Sequence, residues 1–212
     1  METFDEVLKT IQTEIVSDDP EVRSEYLAHF KADIEKFTPA MARAFIEWRL
    51  LDNEVKGDEK RAYVSGLVFT AIILHILSLK LFISGHTVAA GNLMRQVLES
   101  IAVALLCAGK DIGILEQFMS GEYMTNAAIR DVTKHSSTLG LKEDGVKSLA
   151  DAQKFYHKYS HPTMLTLATG ISLSKKGLFV GAGFDKGKLK EYSREINGRV
   201  VLQKFSLTSL MQ

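Results

Sequence analysis

The sequence predicts a mainly α-helical protein: a multi-helix bundle around two long apolar central helices, with a small β-hairpin near residues 171–184. Three observations carry this. Apolar residues recur at helical spacing along most of the chain, as in the stripe Val22, Tyr26, Phe30, Ile34 and Phe37. Two consecutive segments, 58–84 and 87–108, are apolar over most of their circumference, and a bundle buries such helices at its centre. Only Ile171–Phe184 changes texture: Ile171 and Leu173 are followed by Lys175, Lys176 and Gly177 and then by Leu178, Phe179 and Val180, the pattern of a short hairpin.

The elements can be justified in order. Residues 1–56 read as three amphipathic helices. Thr3 followed by Glu6 is a capping box, and Asp19–Pro20 and Thr38–Pro39 each place a capping side chain before a proline at a first helical position. Glu25, His29 and Asp33 share the opposite face of the second helix at i, i+4 and i+8, a spacing that suits a metal and equally a solvated face. The fourth segment, Asp58–Ser84, ends at Gly85, a residue suited to the left-handed position after a helix. Its uninterrupted apolar stretch is about 17 residues, at the lower limit of a membrane span of roughly 20. The next, Thr87–Ala108, carries Arg95 and Glu99 at its middle, which lipid disfavours. Both are therefore expected at the centre of a soluble bundle, where a helix-mediated homodimer would cover what one chain cannot.

After Gly109 the chain is expected to restart at Asp111 and run helically to about His135, with Gly113 and Gly121 as weak points. Ser136–Gly145 is a polar loop. A helix over 146–159 buries Leu149, Ala152, Phe155 or Tyr156, and Tyr159. Lys186–Leu210 returns to helix, with Leu189, Tyr192, Ile196, Val200 and Leu207 on one side. No repeat or flexible linker divides the chain, so 1–212 is read as one helical domain: 1–56 the N-terminal helices, 58–160 the core, 161–212 the hairpin and last helix.

Composition bounds the function. The lone Cys107 lies in an apolar run, which excludes an intramolecular disulfide and fits a reducing compartment. An acidic start without a basic or apolar leader points to the cytoplasm. The net charge of zero hides an asymmetry: residues 1–60 hold 15 acids and 8 bases, residues 142–212 hold 6 acids and 12 bases. The basic part can face the acidic helices of its own chain or of a second subunit, or meet an acidic partner or nucleic acid.

Chemistry concentrates in the octapeptide Tyr156–Thr163, where Tyr156, His157, Tyr159 and His161 gather at a point where Pro162 obliges a helix to stop. His157 and His161 have the i, i+4 spacing of metal ligands, but no Glu-x-x-His pairs accompany them, so neither metal nor cofactor is expected. The same residues could simply cap the helix end. Arg95 and Glu99, also i, i+4, must be paired because an isolated charge in an apolar helix is costly. They are either a register-fixing bridge or an anion-binding arginine oriented by a carboxylate. Phosphate-binding glycine loops, a Gly-x-Ser-x-Gly elbow and Cys-x-x-Cys are absent.

Arg130, Asp131 and His135 spell Arg-polar-x-x-x-His, which resembles the signature of HEPN (higher eukaryotes and prokaryotes nucleotide-binding) domains. The segment Gly91–Leu106, with its Arg-x-x-x-Glu, is similar to the core helix of uncharacterised bacterial helical families, some linked to HEPN. The resemblance implies a dimeric, metal-independent ribonuclease in which Arg130 and His135 converge on RNA phosphate across the dimer. Two functions are therefore carried forward. One is a bacterial-type helical binding or interaction protein, homodimeric, with a polar pocket for a small anion formed by Arg95, Glu99, Tyr156, His157, Tyr159 and His161. The other is the HEPN-like ribonuclease of a toxin or phage-defence type.

Overall fold

The computed structural model describes residues 3–109 and 112–202. Among these the protein is almost entirely helical, and the two apolar segments are its centre: α3 (Glu59–Ile83) and α4 (Thr87–Ala108) form a closely packed pair. The Asp58 side chain caps the first turn of α3 by accepting from Arg61 N. At the other end Gly85 takes φ +86°, His86 N donates to Leu81 O at 3.0 Å and Gly85 N to Phe82 O at 3.0 Å. This is a Schellman ending, which needs a left-handed residue at Gly85. A side chain there would also collide with the body, because a Cβ would lie 2.7 Å from both Gly183 N and Val22 Cγ1.

On one side of the pair α2 (Pro20–Asn53) and α9 (Leu189–Leu202) bury Tyr26, Phe30, Phe37, Phe82, Tyr192 and Ile196 together. On the other side α6 (Ala128–Lys134) and α7 (Glu143–Tyr156) pack Ile129, Val132, Leu149 and Tyr156 against Met94, Leu98 and Leu106 of α4. Helix α4 serves both cores: Ala90 and Ala104 face the first, Met94, Val97 and Leu98 the second.

The N-terminal region differs from expectation at one junction. Helix α1 (Phe4–Val16) has the Thr3–Glu6 capping box, but the second and third expected helices are one. Pro39 does not start a new helix; α2 runs through it to Asn53, with Phe37 and Met41 buried on either side. Packing against α3 outweighs the lost hydrogen bond. The departure from helical backbone lies instead at Phe30 (φ −124°, ψ 19°). Just before it, His29 Nδ1 donates to Glu25 O at 2.8 Å, and a side chain intruding on the backbone ladder is a recognised cause of such a kink. Pro20 begins α2 as expected, yet Asp19 is left-handed and its carboxylate accepts from Ser17 Oγ rather than capping.

The single helix expected over 111–135 is also two: α5 (Ile114–Met119), then a 3₁₀ turn (Thr125–Ala127) leading into α6. The break falls at Gly121, whose φ of +76° no helix accommodates. The hairpin is present but minimal: β1 (Ile171–Ser172) pairs antiparallel with β2 (Gly177–Leu178). It is preceded by α8 (Met164–Gly170) and held by a buried carboxylate. Asp185 accepts from the backbone N–H groups of Leu173, Ser174 and Gly187. Burial would push its carboxyl up, but these donors outweigh that and hold it at about 2. Leu207 and the end of the expected last helix lie outside the described residues.

Candidate functional site

Helix α7 ends at Tyr156, one 3₁₀ turn follows (His157–Tyr159), and the chain bends at Ser160 ahead of Pro162. This turn lies against α4 and sends successive side chains to opposite sides. His157 and His161 are exposed, their rings 4.6 Å apart at 66°. Tyr156 and Tyr159 are buried. The six residues expected around one pocket are thus divided by the turn into an outer and an inner group.

In the outer group Arg95 Nε donates to Glu99 Oε1 at 2.8 Å, and Arg95 Nη1 donates to Ser160 Oγ at 2.7 Å. The Ser160 hydroxyl in turn donates to His157 O at 2.9 Å. The two charged side chains are 23% and 15% exposed, so the pair is largely desolvated yet open at one edge. The octapeptide therefore meets Arg95 through Ser160 and not through its tyrosines or histidines. The guanidinium is fixed on two sides, and His157 and His161 stand on the same turn.

The partners of the inner group were not anticipated. The Tyr159 ring lies flat on α4 at Gly91, the one residue type that allows it: a Cβ there would sit 2.5 Å from Cδ2 and 2.7 Å from Cδ1 of the ring. The Tyr159 hydroxyl donates to Glu195 Oε1 on α9. Glu195 Oε2 accepts from Arg199 Nη1 at 2.6 Å, and Arg199 Nε reaches Ser78 Oγ of α3 at 3.2 Å. The guanidinium is fully buried and packs over the Phe82 ring at 4.7 Å. Burial first, then the Glu195 carboxylate, push the Tyr159 hydroxyl far above the usual phenol range, so it remains a donor. A buried ion pair thus joins α3, α9 and the turn that carries Ser160.

His75 of α3 belongs to the same interior. It stacks edge-on against Phe37 at 5.0 Å and its Nε2 is buried without a hydrogen-bond partner. Burial first, and then the Arg199 charge, push its imidazole down to about 3. The folded protein therefore holds His75 neutral at pH values where the unfolded chain protonates it. Stability is expected to fall as pH drops below about 6.5, by up to about 1.4 kcal/mol per pH unit from this group. Urea denaturation of wild type and His75→Gln at about pH 7 and about pH 5 checks this: the difference between them must shrink or reverse toward acid, and a constant difference rejects it.

The remaining candidates lie elsewhere. Arg130 is 81% exposed, with its Nε 3.9 Å from Asp131 Oδ1. His135 is half-buried at the end of α6. Five residues apart, the two project about 140° from each other around the helix axis. Among the described residues no group of three or more His, Cys, Asp or Glu side chains is placed to hold a metal ion, the Glu25, His29 and Asp33 row included. Cys107 is buried and its thiol is pushed up to about 11, chiefly by burial.

Glu195 and Arg199 carried the same signal as Arg95 and Glu99, an i, i+4 pair of opposite charge. Arg199 falls on the helical row of Tyr192 and Ile196, seven and three residues after them, with Val200 next to it in the chain. Their position within an apolar stripe could have found them. No family model matches the chain, and neither does any curated protein or solved structure.

Proposed function

We propose that this protein is a homodimeric helical binding module that captures a small anion, a carboxylate or phosphate, at the shelf where α4 meets the Tyr156–Thr163 turn. The observation that carries this reading is the Arg95 guanidinium, pinned by Glu99 and Ser160 but open at one edge. A guanidinium held in place loses little further freedom when it binds an anion. Its remaining N–H donors supply charge-assisted bonds, and the exposed rings of His157 and His161 belong to the chain segment that carries Ser160. Glu99 acts by orientation, since a carboxylate repels the ligand itself.

The test is an NMR titration of the His157 and His161 ring protons with inorganic phosphate. Saturable shifts are expected in wild type, and Arg95→Gln, which removes the charge but keeps a hydrogen-bond donor for Glu99, should weaken binding by about tenfold or more while the helical circular dichroism stays that of the folded protein. Unshifted rings, or equal binding by the variant, would overturn the reading.

The exposure of Arg130 supports a second reading, the metal-independent ribonuclease with Arg130 and His135 at a dimer cleft. Cleavage of single-stranded RNA in EDTA, abolished by Arg130→Ala, would put that reading in place of anion capture.

A further inference from the structure

Among the described residues, two helix faces are apolar and uncovered. Helix α1 buries none of its residues. Phe4, Val7, Leu8, Ile11 and Ile15 form its apolar stripe, with Phe4 and Ile15 79% and 76% exposed. Helix α3 buries one side against α4 and α2, but Tyr63, Phe69, Ile73, Ile76 and Leu77 remain 37% to 42% exposed along its outer side. Gly66 lies in the same row, with open space beside it that admits close approach of another helix. Trp48 of α2 borders this patch, its ring 4.6 Å from that of Phe69. Helix α3 is also long and apolar enough to cross a bilayer, so something other than water must be considered for its outer side.

The two faces match each other. The stripe on α1 spans about 16 Å and that on α3 about 21 Å, at 1.5 Å per residue. Their charges differ: α1 carries Asp5, Glu6 and Glu14 against Lys9, a net of 1 − 3 = −2, whereas on α3 Lys60 is paired with Glu116 and Arg61 with Asp58, and the exposed Lys80 stands at the end of the outer row. An acidic amphipathic helix is poorly suited to an anionic membrane surface, where cationic flanks supply the attraction. It suits a helix face whose apolar row ends at an exposed lysine, as that of α3 does at Lys80.

Every copy carries one face of each kind. A two-fold dimer in which each α1 lies on the other copy's α3 covers both faces on both chains and closes without leaving a third surface open. Helix α1 is held for this role by a single described contact with the body, Glu14 Oε1 accepting from Ala182 N at 3.0 Å. That contact requires glycine at the neighbouring Gly181, where a Cβ would overlap the Glu14 carboxylate.

We infer that the α1 stripe docks on the outer face of α3 in a second copy of this chain. The inference rests on the dimer reading above and specifies its surfaces. Light scattering behind gel filtration of the full chain establishes the oligomeric state. Ile11→Glu and Ile73→Glu change exposed positions, so the helical circular dichroism should persist while each variant weakens dimerisation by about tenfold or more. Ile11→Cys and Ile73→Cys proteins, mixed under mild oxidation, should yield a mixed disulfide that neither forms with wild type; buried Cys107 does not compete. A dimer that survives Ile11→Glu and gives no mixed disulfide would overturn the α1–α3 contact while leaving the dimer itself intact. A wild-type chain that stays monomeric at every concentration would overturn both.

Discussion

Glu195→Ala is expected to lower stability by about 3–5 kcal/mol, because it leaves the fully buried Arg199 guanidinium without its counter-charge. For a chain of this size that is a drop of roughly 10 °C or more in Tm. The effect should be larger than deleting any single exposed ion pair, such as Lys60–Glu116, which water screens on both partners. The physical content lies in a comparison. Replacing the whole network by apolar groups of similar volume, Glu195→Leu with Arg199→Met and Tyr159→Phe, should recover most of the loss. An ion pair is costly to bury and costlier still to break. Ser78 needs no new partner in that variant, since its hydroxyl already donates to Ala90 O at 2.8 Å. Urea and thermal denaturation followed by circular dichroism decide the matter. A loss below about 1 kcal/mol for Glu195→Ala would mean that water reaches the pair.

Gly91→Ala is expected to destabilise by about 1–3 kcal/mol, against the helical preference that favours alanine by about 1 kcal/mol. The sign is decided by the Tyr159 ring, which occupies the space an alanine methyl would take. The ring cannot yield freely, because its hydroxyl is tied to Glu195 and Ser160 follows it in the chain. The variant should therefore also loosen the Arg95–Ser160 bond and, with it, weaken the proposed anion capture. A double-mutant cycle separates this from a general helix effect. In a Tyr159→Ala background the Gly91→Ala change should become neutral or favourable, a coupling of 1 kcal/mol or more. Equal cost in both backgrounds would place the damage elsewhere.

Where the chain was legible, the reason is local. Asp58 and Gly85 mark the ends of α3 because a cap and a left-handed residue act within one turn of themselves. Arg95 and Glu99 could be paired by their spacing alone. Pro39 and Phe30 show the limit: a proline predicts a break from its own chemistry, and burial of Phe37 and Met41 against the neighbouring helix overrode it. Gly121 shows the converse, a weak point that became a true interruption.

The octapeptide makes the same division within eight residues. Sequence determined that a helix ends there and that polar side chains gather. It could not determine that His157 and His161 turn outward, away from the buried tyrosines beside them, nor that Ser160 would be the residue to meet Arg95. Those outcomes depend on partners 65 residues away in one case and 36 and 121 in the others, namely Arg95 with Ser160, Tyr159 with Glu195, and Ser78 with Arg199. Periodicity and capping are written in neighbours along the chain, so most helices and their apolar sides were determined by sequence alone, while the join through Pro39, the break at Gly121 and helix α8 were not. Which charge is buried against which hydroxyl is settled only when distant helices pack, because only then is water removed and an unpaired group made costly.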